Sequence, residues 1–115
     1  MVTAKLTYRN GTRHFRVEVD GHAGQAELGQ DLICSAVSIL TYTTAQVIQS
    51  MTTVKCYFPV SPTIELQSGK AVIDAVCYTE KDYNELRYAT LFVSAGFALL
   101  QNQFPDHVKF IIDEA

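Results

Sequence analysis

At 115 residues, with 48% hydrophobic and 18% charged residues, the chain carries enough apolar material for one packed core, which sets the expectation of a single domain over residues 1–115 and excludes a disordered polymer. The net charge of −3, with nine Lys and Arg scattered singly, leaves no basic stripe to neutralise phosphates, so direct nucleic-acid binding is disfavoured and a basic protein partner is the better match. Three widely spaced cysteines make no disulfide framework, Met1 to Arg9 shows no secretory signal, and Thr, Gln and Ser interrupt the apolar runs before the ~20 residues a bilayer requires; the expectation is a cytoplasmic protein with free thiols and no membrane span.

Val2, Ala4, Leu6 and Tyr8 alternate with polar residues, as do Phe15, Val17 and Val19, the period of two half-buried strands. Asn10-Gly11 lies between them and predicts a hairpin, since both residues tolerate the positive φ angles of a tight turn. Gly21 to Gln30 then loses all periodicity, and Gly21, Gly24 and Gly29 predict a flexible loop. A helix is expected from Asp31, as N-cap, to about Met51, with Leu32, Ala36, Ile39 or Leu40, Val47 and Met51 recurring every three or four residues.

Val54 to Val60, Thr63 to Gln67 and Lys70 to Tyr78 read as three strands broken by Pro59 to Pro62 and by Ser68-Gly69. Glu80 to Phe104 is a second helix, with Tyr83, Leu86, Thr90, Val93, Phe97, Leu100 and Phe104 in helical spacing and Pro105 at its end. Val108, Phe110 and Ile112 form a last strand. The order ββαβββαβ predicts an α+β fold, with two long helices on a mostly antiparallel sheet.

The residues able to carry chemistry gather around the glycine loop. A helix N-terminus favours the thiolate, the form of cysteine that attacks carbonyls, and Cys34 would sit in the first turn of a helix begun at Asp31. His22, at the other end of the loop, is the side chain best suited to take and return a proton near neutrality. Each residue also has a plainer reading: Cys34 as a small buried hydrophobe, as expected for Cys56 and Cys77, and His22 as a turn residue, as expected for His14 and His107. Asp31 either caps the helix or orients His22; Ser38, one turn beyond Cys34, either supports a site or bonds a helix carbonyl. The Cys34 amide is a candidate oxyanion donor. The cysteines lack zinc spacing and the glycine loop lacks a Gly-Lys-Ser/Thr ending, so no metal and no cofactor are expected.

Gly21-His22-Ala23-Gly24, followed by Asp31-Leu32-Ile33-Cys34-Ser35-Ala36-Val37-Ser38, resembles the signature of the ribosomal-processing cysteine protease family called Prp, and the likeness extends over essentially the whole chain. The resemblance implies that His22 and Cys34 are the catalytic pair, with Gly21, Asp31 and Ser38 as supporting motif positions. It implies as substrate the precursor of large-subunit ribosomal protein L-twenty-seven, whose N-terminal extension the family removes after a bulky apolar residue, and hence an apolar groove beside Cys34. It also suggests a homodimer, in keeping with apolar helix faces that exceed what one small sheet covers. Two other functions fit the residues: a noncatalytic ribosome-assembly factor that docks a peptide through the glycine loop, and thiol redox sensing.

Overall fold

The computed structural model describes residues 1–21, 28–65 and 69–115, with residues 28–31 described through their backbone alone. The elements run β1 (Val2–Arg9), β2 (His14–Asp20), α1 (Leu28–Met51), β3 (Cys56–Tyr57), β4 (Thr63–Glu65), β5 (Lys70–Cys77), α2 (Glu80–Gln103) and β6 (Val108–Glu114). The six strands form one sheet in the order β3-β5-β2-β1-β6, with β4 also paired to β5. Every pairing is antiparallel except β1 with β6. This is the α+β architecture anticipated from the periodicity.

Alternate residues of the strands separate the two faces of the sheet. Val2, Ala4, Leu6, Tyr8, Phe15, Val17, Val19, Ile73 and Val108 join Ile33, Val37 and Ile48 of α1 and Leu86, Val93 and Phe97 of α2 in the buried cluster, so both helices lie on one face. Aromatic contacts tie the layers: Phe97 of α2 stacks on Phe110 of β6 at 5.8 Å between centroids, and the Tyr8 hydroxyl meets Thr90 Oγ1 at 2.6 Å. Buried hydroxyls on α1 are satisfied within the helix, where Thr41 donates to the Val37 carbonyl at 2.8 Å. The face away from the helices carries charge, and there Asp74, only 2% exposed, is held by His14 Nε2 at 2.7 Å and by Arg16 Nη1 at 3.2 Å.

The helices pack directly on each other at Gly96, where an added Cβ would stand 2.6 Å from Leu40 Cδ2. They run antiparallel, because Lys55, just past the end of α1, pairs with Glu85 near the start of α2. Thr79 caps α2, its side chain accepting from the Asp82 amide at 3.1 Å, with Glu80 and Asp82 placed favourably in the first turn.

The structure corrects four expectations. The first hairpin has a four-residue loop, Asn10 to Arg13, and its left-handed residue is Arg13 (φ 55) instead of Gly11. A weak bond from the Arg13 amide to the Asn10 carbonyl at 3.4 Å closes the turn, so the chain reverses over more residues than a two-residue Asn-Gly turn uses. Secondly, α1 begins at Leu28, placing Gly29 and Asp31 inside the helix instead of in the loop and at the cap. Leu28 and Gln30 are good helix formers, and one interior glycine costs only about 1 kcal/mol. Thirdly, β3 is two residues long because Val54 and Lys55 form the turn that leaves α1, closed by Lys55 N–H to the Met51 carbonyl at 3.0 Å. Finally, Leu32–Met51 is, by length and composition, apolar enough to cross a membrane (20 residues, mean hydropathy 1.3). Its Thr and Ser residues depress hydropathy little, its two Gln residues are outweighed by the apolar ones, and one side of the helix is packed on the sheet. Gln67 and Ser68, expected in a strand and a turn, lie outside the described residues.

Gly21 and Gly69 close the end of the sheet nearest the start of α1. Gly21 follows β2 with φ +96, and its amide donates to the Gly69 carbonyl at 2.8 Å. A Cβ on Gly21 would lie 2.2 Å from the Met1 carbonyl oxygen, a backbone atom that cannot swing aside. Gly21→Ala should therefore destabilise the fold by about 2 kcal/mol or more, combining the positive φ with a forced shift of β1. Urea unfolding checks this, and unchanged stability would show that β1 moves freely.

At the opposite end, Cys56 and Cys77 face each other across β3 and β5, both buried. Burial first, and then the neighbouring Cys56 sulfur, pushes the Cys77 thiol up to about 12. The unfolded chain releases this proton near its ordinary value of 9.0, so stability is full below pH 9 and falls as pH rises toward 12. The loss from this one thiol is about 1.4 kcal/mol per pH unit. In urea midpoints measured at pH 8, 9 and 10, Cys77→Ala should show a shallower decline than the parent.

Candidate active site

Cys34 projects from α1 toward the glycine-closed end of the sheet. It is exposed, whereas Cys56 and Cys77 are buried, which removes the reading of Cys34 as a core hydrophobe. A small cleft of about 30 Å³ lies against it, lined by Val2, Val19, Gly21, Cys34, Val37, Ser38 and Gly69. Each wall has a different origin. Val2 and Val19 come from the inward-facing rows of β1 and β2, where Val19 is paired with Ala4 and Val2 is its diagonal neighbour. Val37 and Ser38 are the residues one turn along α1 from Cys34, which places them on its side of the helix. Gly21 and Gly69 contribute backbone only, leaving the opening free of side-chain bulk.

The arrangement brings together three of the expected site residues, Gly21, Cys34 and Ser38. His22 and Gly24 lie outside the described residues. Gly29 and Asp31 are in the first turn of α1, where an acidic residue is electrostatically favourable whether or not it caps. Asp31 is thus separated from the N-cap role by the three helical residues that precede it.

The earlier helix start also changes the role open to the Cys34 backbone. Cys34 is the seventh residue of α1, one turn deeper than a helix begun at Asp31 would put it. In an α-helix its amide is then committed to the Gln30 carbonyl, and the amides without a helical acceptor belong to residues 28–31. The expectation that the Cys34 amide serves as an oxyanion donor is withdrawn on this ground. The strongest field of the helix terminus likewise lies a turn before the thiol.

Chemically, the cleft presents an accessible sulfur beside three valines and two stretches of bare backbone. An apolar side chain of an extended peptide would find valine walls there, and its main chain could approach the two glycines closely. The valines of β1 and β2 were legible as core residues, but nothing in their periodicity marks them as neighbours of Cys34. Among the described residues there is no group of three or more His, Cys, Asp or Glu that could hold a metal ion.

A larger hollow of about 440 Å³ lies elsewhere, between α2 and β6, and includes Tyr8, Arg87, Leu91, Ile112 and Glu114. Tyr8 and Val2 stand at opposite ends of β1, about 20 Å apart along the strand, so this hollow is separate from Cys34. Arg87 fills one wall, engaged with Asn10 and Glu114 and lying 4.7 Å over the Tyr8 ring.

The chain is similar to SMU.848 from Streptococcus mutans over 100% of its own length and 96% of that chain, at 24% identity and a TM-score of 0.72. It also resembles the essential ribosomal processing protease Prp from S. aureus in complex with a substrate peptide, at 16% identity and TM-score 0.68, with 98% of this chain and 100% of that one covered. The same S. aureus protein in complex with a covalently linked product peptide aligns at 17% identity and TM-score 0.69, again over 98% and 100%. At such identities these likenesses establish the fold. No curated protein sequence matches the chain. Residues 1–109, nearly all of the sequence, match the family model described as cysteine protease Prp, and the chain therefore belongs to the cysteine protease Prp family.

Proposed function

We propose that this chain is a cysteine endopeptidase, a single protease domain over residues 1–115, that removes the N-terminal extension from the precursor of ribosomal protein L-twenty-seven. One observation carries the reading: in a chain of this family, the motif cysteine is the exposed one and lines a cleft with Gly21, the residue immediately before His22 in the sequence. The noncatalytic alternative requires Cys34 in the core, and its exposure counts against that. The S. aureus relative's complexes with substrate peptide and with covalently linked product peptide support peptide cleavage as the activity.

In this mechanism His22 takes the Cys34 proton and the sulfur attacks the scissile carbonyl carbon. The tetrahedral adduct collapses, the carbon–nitrogen bond breaks, and His22 returns the proton to the departing amine. Water, deprotonated by His22, then attacks the thioester and releases the extension's new C-terminus, restoring the thiol. The valine-lined cleft takes an apolar side chain of the substrate. Asp31 orients His22, the role left to it once helix capping is removed, and Ser38 supports the sulfur from the next turn of α1. The chemistry requires no metal and no cofactor. A cytoplasmic location and a homodimer complete the proposal, with no direct contact to nucleic acid or membrane.

The first test is incubation with a peptide spanning the precursor junction of ribosomal protein L-twenty-seven, read by mass spectrometry. Cys34→Ala should lower cleavage by at least about 10³-fold with little change in melting temperature. Cleavage of the junction by neither protein would instead favour a noncatalytic assembly factor. In parallel, iodoacetamide at pH 7.5 should modify the native protein at Cys34 alone, with Cys56 and Cys77 reacting only after unfolding.

A further inference from the structure

Two of the three thiols have no part in the peptide chemistry. Cys77 ends β5, about 25 Å along the strand from Gly69 and the Cys34 cleft, and Cys56 is its register partner on β3. The main-chain bonds around them show which kind of antiparallel pair they form. The Tyr78 amide donates to the Lys55 carbonyl, the Cys77 amide turns to the Arg13 carbonyl on the β2 side, and the Cys56 carbonyl turns away from β5 to accept from the Thr53 amide, each at 3.0 Å. Neither cysteine makes a main-chain bond to the other. They are a non-hydrogen-bonded pair, the position at which facing Cα atoms stand about 4.5 Å apart and side chains come closest. A disulfide spans Cα separations of about 4.4–6.8 Å, so the strands already hold the two sulfurs at bonding range. The side chains point accordingly: the Cys77 thiol donates to the Cys56 sulfur.

We propose that Cys56 and Cys77 are a reversible dithiol–disulfide site, oxidised by a small peroxide to a bond that staples β3 to β5. The Cys56 sulfur attacks one peroxide oxygen, the O–O bond breaks, and the departing oxygen leaves as water with the thiol proton, so that Cys56 becomes a sulfenic acid. The Cys77 sulfur then attacks the Cys56 sulfur, the S–O bond breaks, and a second water leaves with the Cys77 proton. Two thiols lose two hydrogens, and one peroxide is reduced to two waters.

Access selects the oxidant. The cysteines are 0% and 1% exposed, and burial raises both thiols, which keeps the closed pair reduced. Opening is confined to β3, a two-residue strand at the edge of the sheet, and short edge elements open at low cost. The turn before it holds Thr53 at φ 72, a β-branched residue in the left-handed region, and an opened β3 releases that strain. A brief opening that admits a molecule hardly larger than water still excludes iodoacetamide. When β3 closes, the second sulfur meets the first within the same chain, ahead of any dissolved thiol. The bond closes the segment between residues 56 and 77, which contains β4 and Gly69, and removes freedom from the unfolded chain.

The experiment uses the full chain carrying Cys34→Ala, so that the exposed thiol consumes no oxidant. The native protein is treated with excess hydrogen peroxide near neutral pH, then denatured, alkylated with iodoacetamide and weighed. The expected product has lost two hydrogens, takes no alkyl group and remains a single chain. Dithiothreitol should return it to a form that takes two. Its urea midpoint should exceed that of the reduced chain by roughly 1–2 M. Adding Cys56→Ala should abolish the loss of hydrogens, with Cys56→Ser in its place should the alanine variant lose its native circular dichroism. Two alkylatable thiols after peroxide, oxygen added to each sulfur, or a crosslink between chains would each overturn the site. An oxidised chain with an unchanged or lowered urea midpoint would overturn the staple.

Discussion

The end of the sheet that carries the cleft depends on backbone packed too closely for side chains. Gly21 sits against the Met1 carbonyl with no room for a Cβ and bonds the carbonyl of Gly69. Both glycines have positive φ, so β2 can end and β5 can begin within one hydrogen bond of each other, beside the first residues of β1. This junction fixes where the chain leaves the sheet, and hence where Gly21 stands relative to Cys34. A conventional residue would move β1, and with it Val2, which lines the same cleft. The glycine at the head of the motif is thus explained by packing before any chemistry is considered.

The helix α1 meets two demands with one composition. Its inner side must fill the space over β1, β2 and β5, and does so with Ile33, Val37 and Ile48, all buried. Its outer side keeps Leu32 and Ile39 with no charged residue after Asp31. Surface helices ordinarily show a polar outer face, and a helix apolar on both sides is expected where both sides are covered. The sheet covers one; the contrast with the open face of the sheet is instructive. There His14, Arg16, Glu18 and Asp74 form a network of hydrogen bonds and ion pairs, a surface with these polar groups already satisfied and little to gain from burial. Charge is spread over the open face of the sheet, whereas α1 after Asp31 and α2 from Tyr88 onward carry none.

Most of the fold was legible because strands with one buried face write their register into alternation. Val2 to Tyr8 and Phe15 to Val19 could hardly be placed otherwise, and α2 was marked by its helical spacing and by Pro105. What escaped were features set by the competition of weak terms. The start of α1 turned on whether Leu28 and Gln30 outweigh Gly29, a balance of about 1 kcal/mol, and Asp31 offered an attractive but unused cap. The hairpin loop took Arg13 into the left-handed region because the Arg13 carbonyl accepts from the Cys77 amide, while its guanidinium donates to the Cys77 carbonyl, each at 3.0 Å. Those contacts bridge residues distant in sequence, and no local pattern announces them. In the site, Cys34 and Ser38 followed from helical spacing, whereas Val2, Val19 and Gly69 joined them only through the pairing of β1, β2 and β5.

The three cysteines show why residue type alone does not mark a nucleophile. Cys56 and Cys77 lie in strands, opposed to each other and enclosed by the core, and burial raises both thiols. Desolvation opposes the charged form, so below pH 9 these sulfurs behave as small hydrophobes; Cys56 Sγ makes a long contact to the Ile48 carbonyl, 3.8 Å. Cys34 escapes that environment because α1 turns it toward the cleft while its neighbours Ile33 and Val37 take the buried positions. A helix rotates about 100° per residue, so one step from Ile33 carries the side chain from the core to the opening. The thiol is thereby held on a rigid element whose orientation is secured by its buried neighbours, the condition that a nucleophile needs in order to meet a peptide carbonyl at a fixed distance.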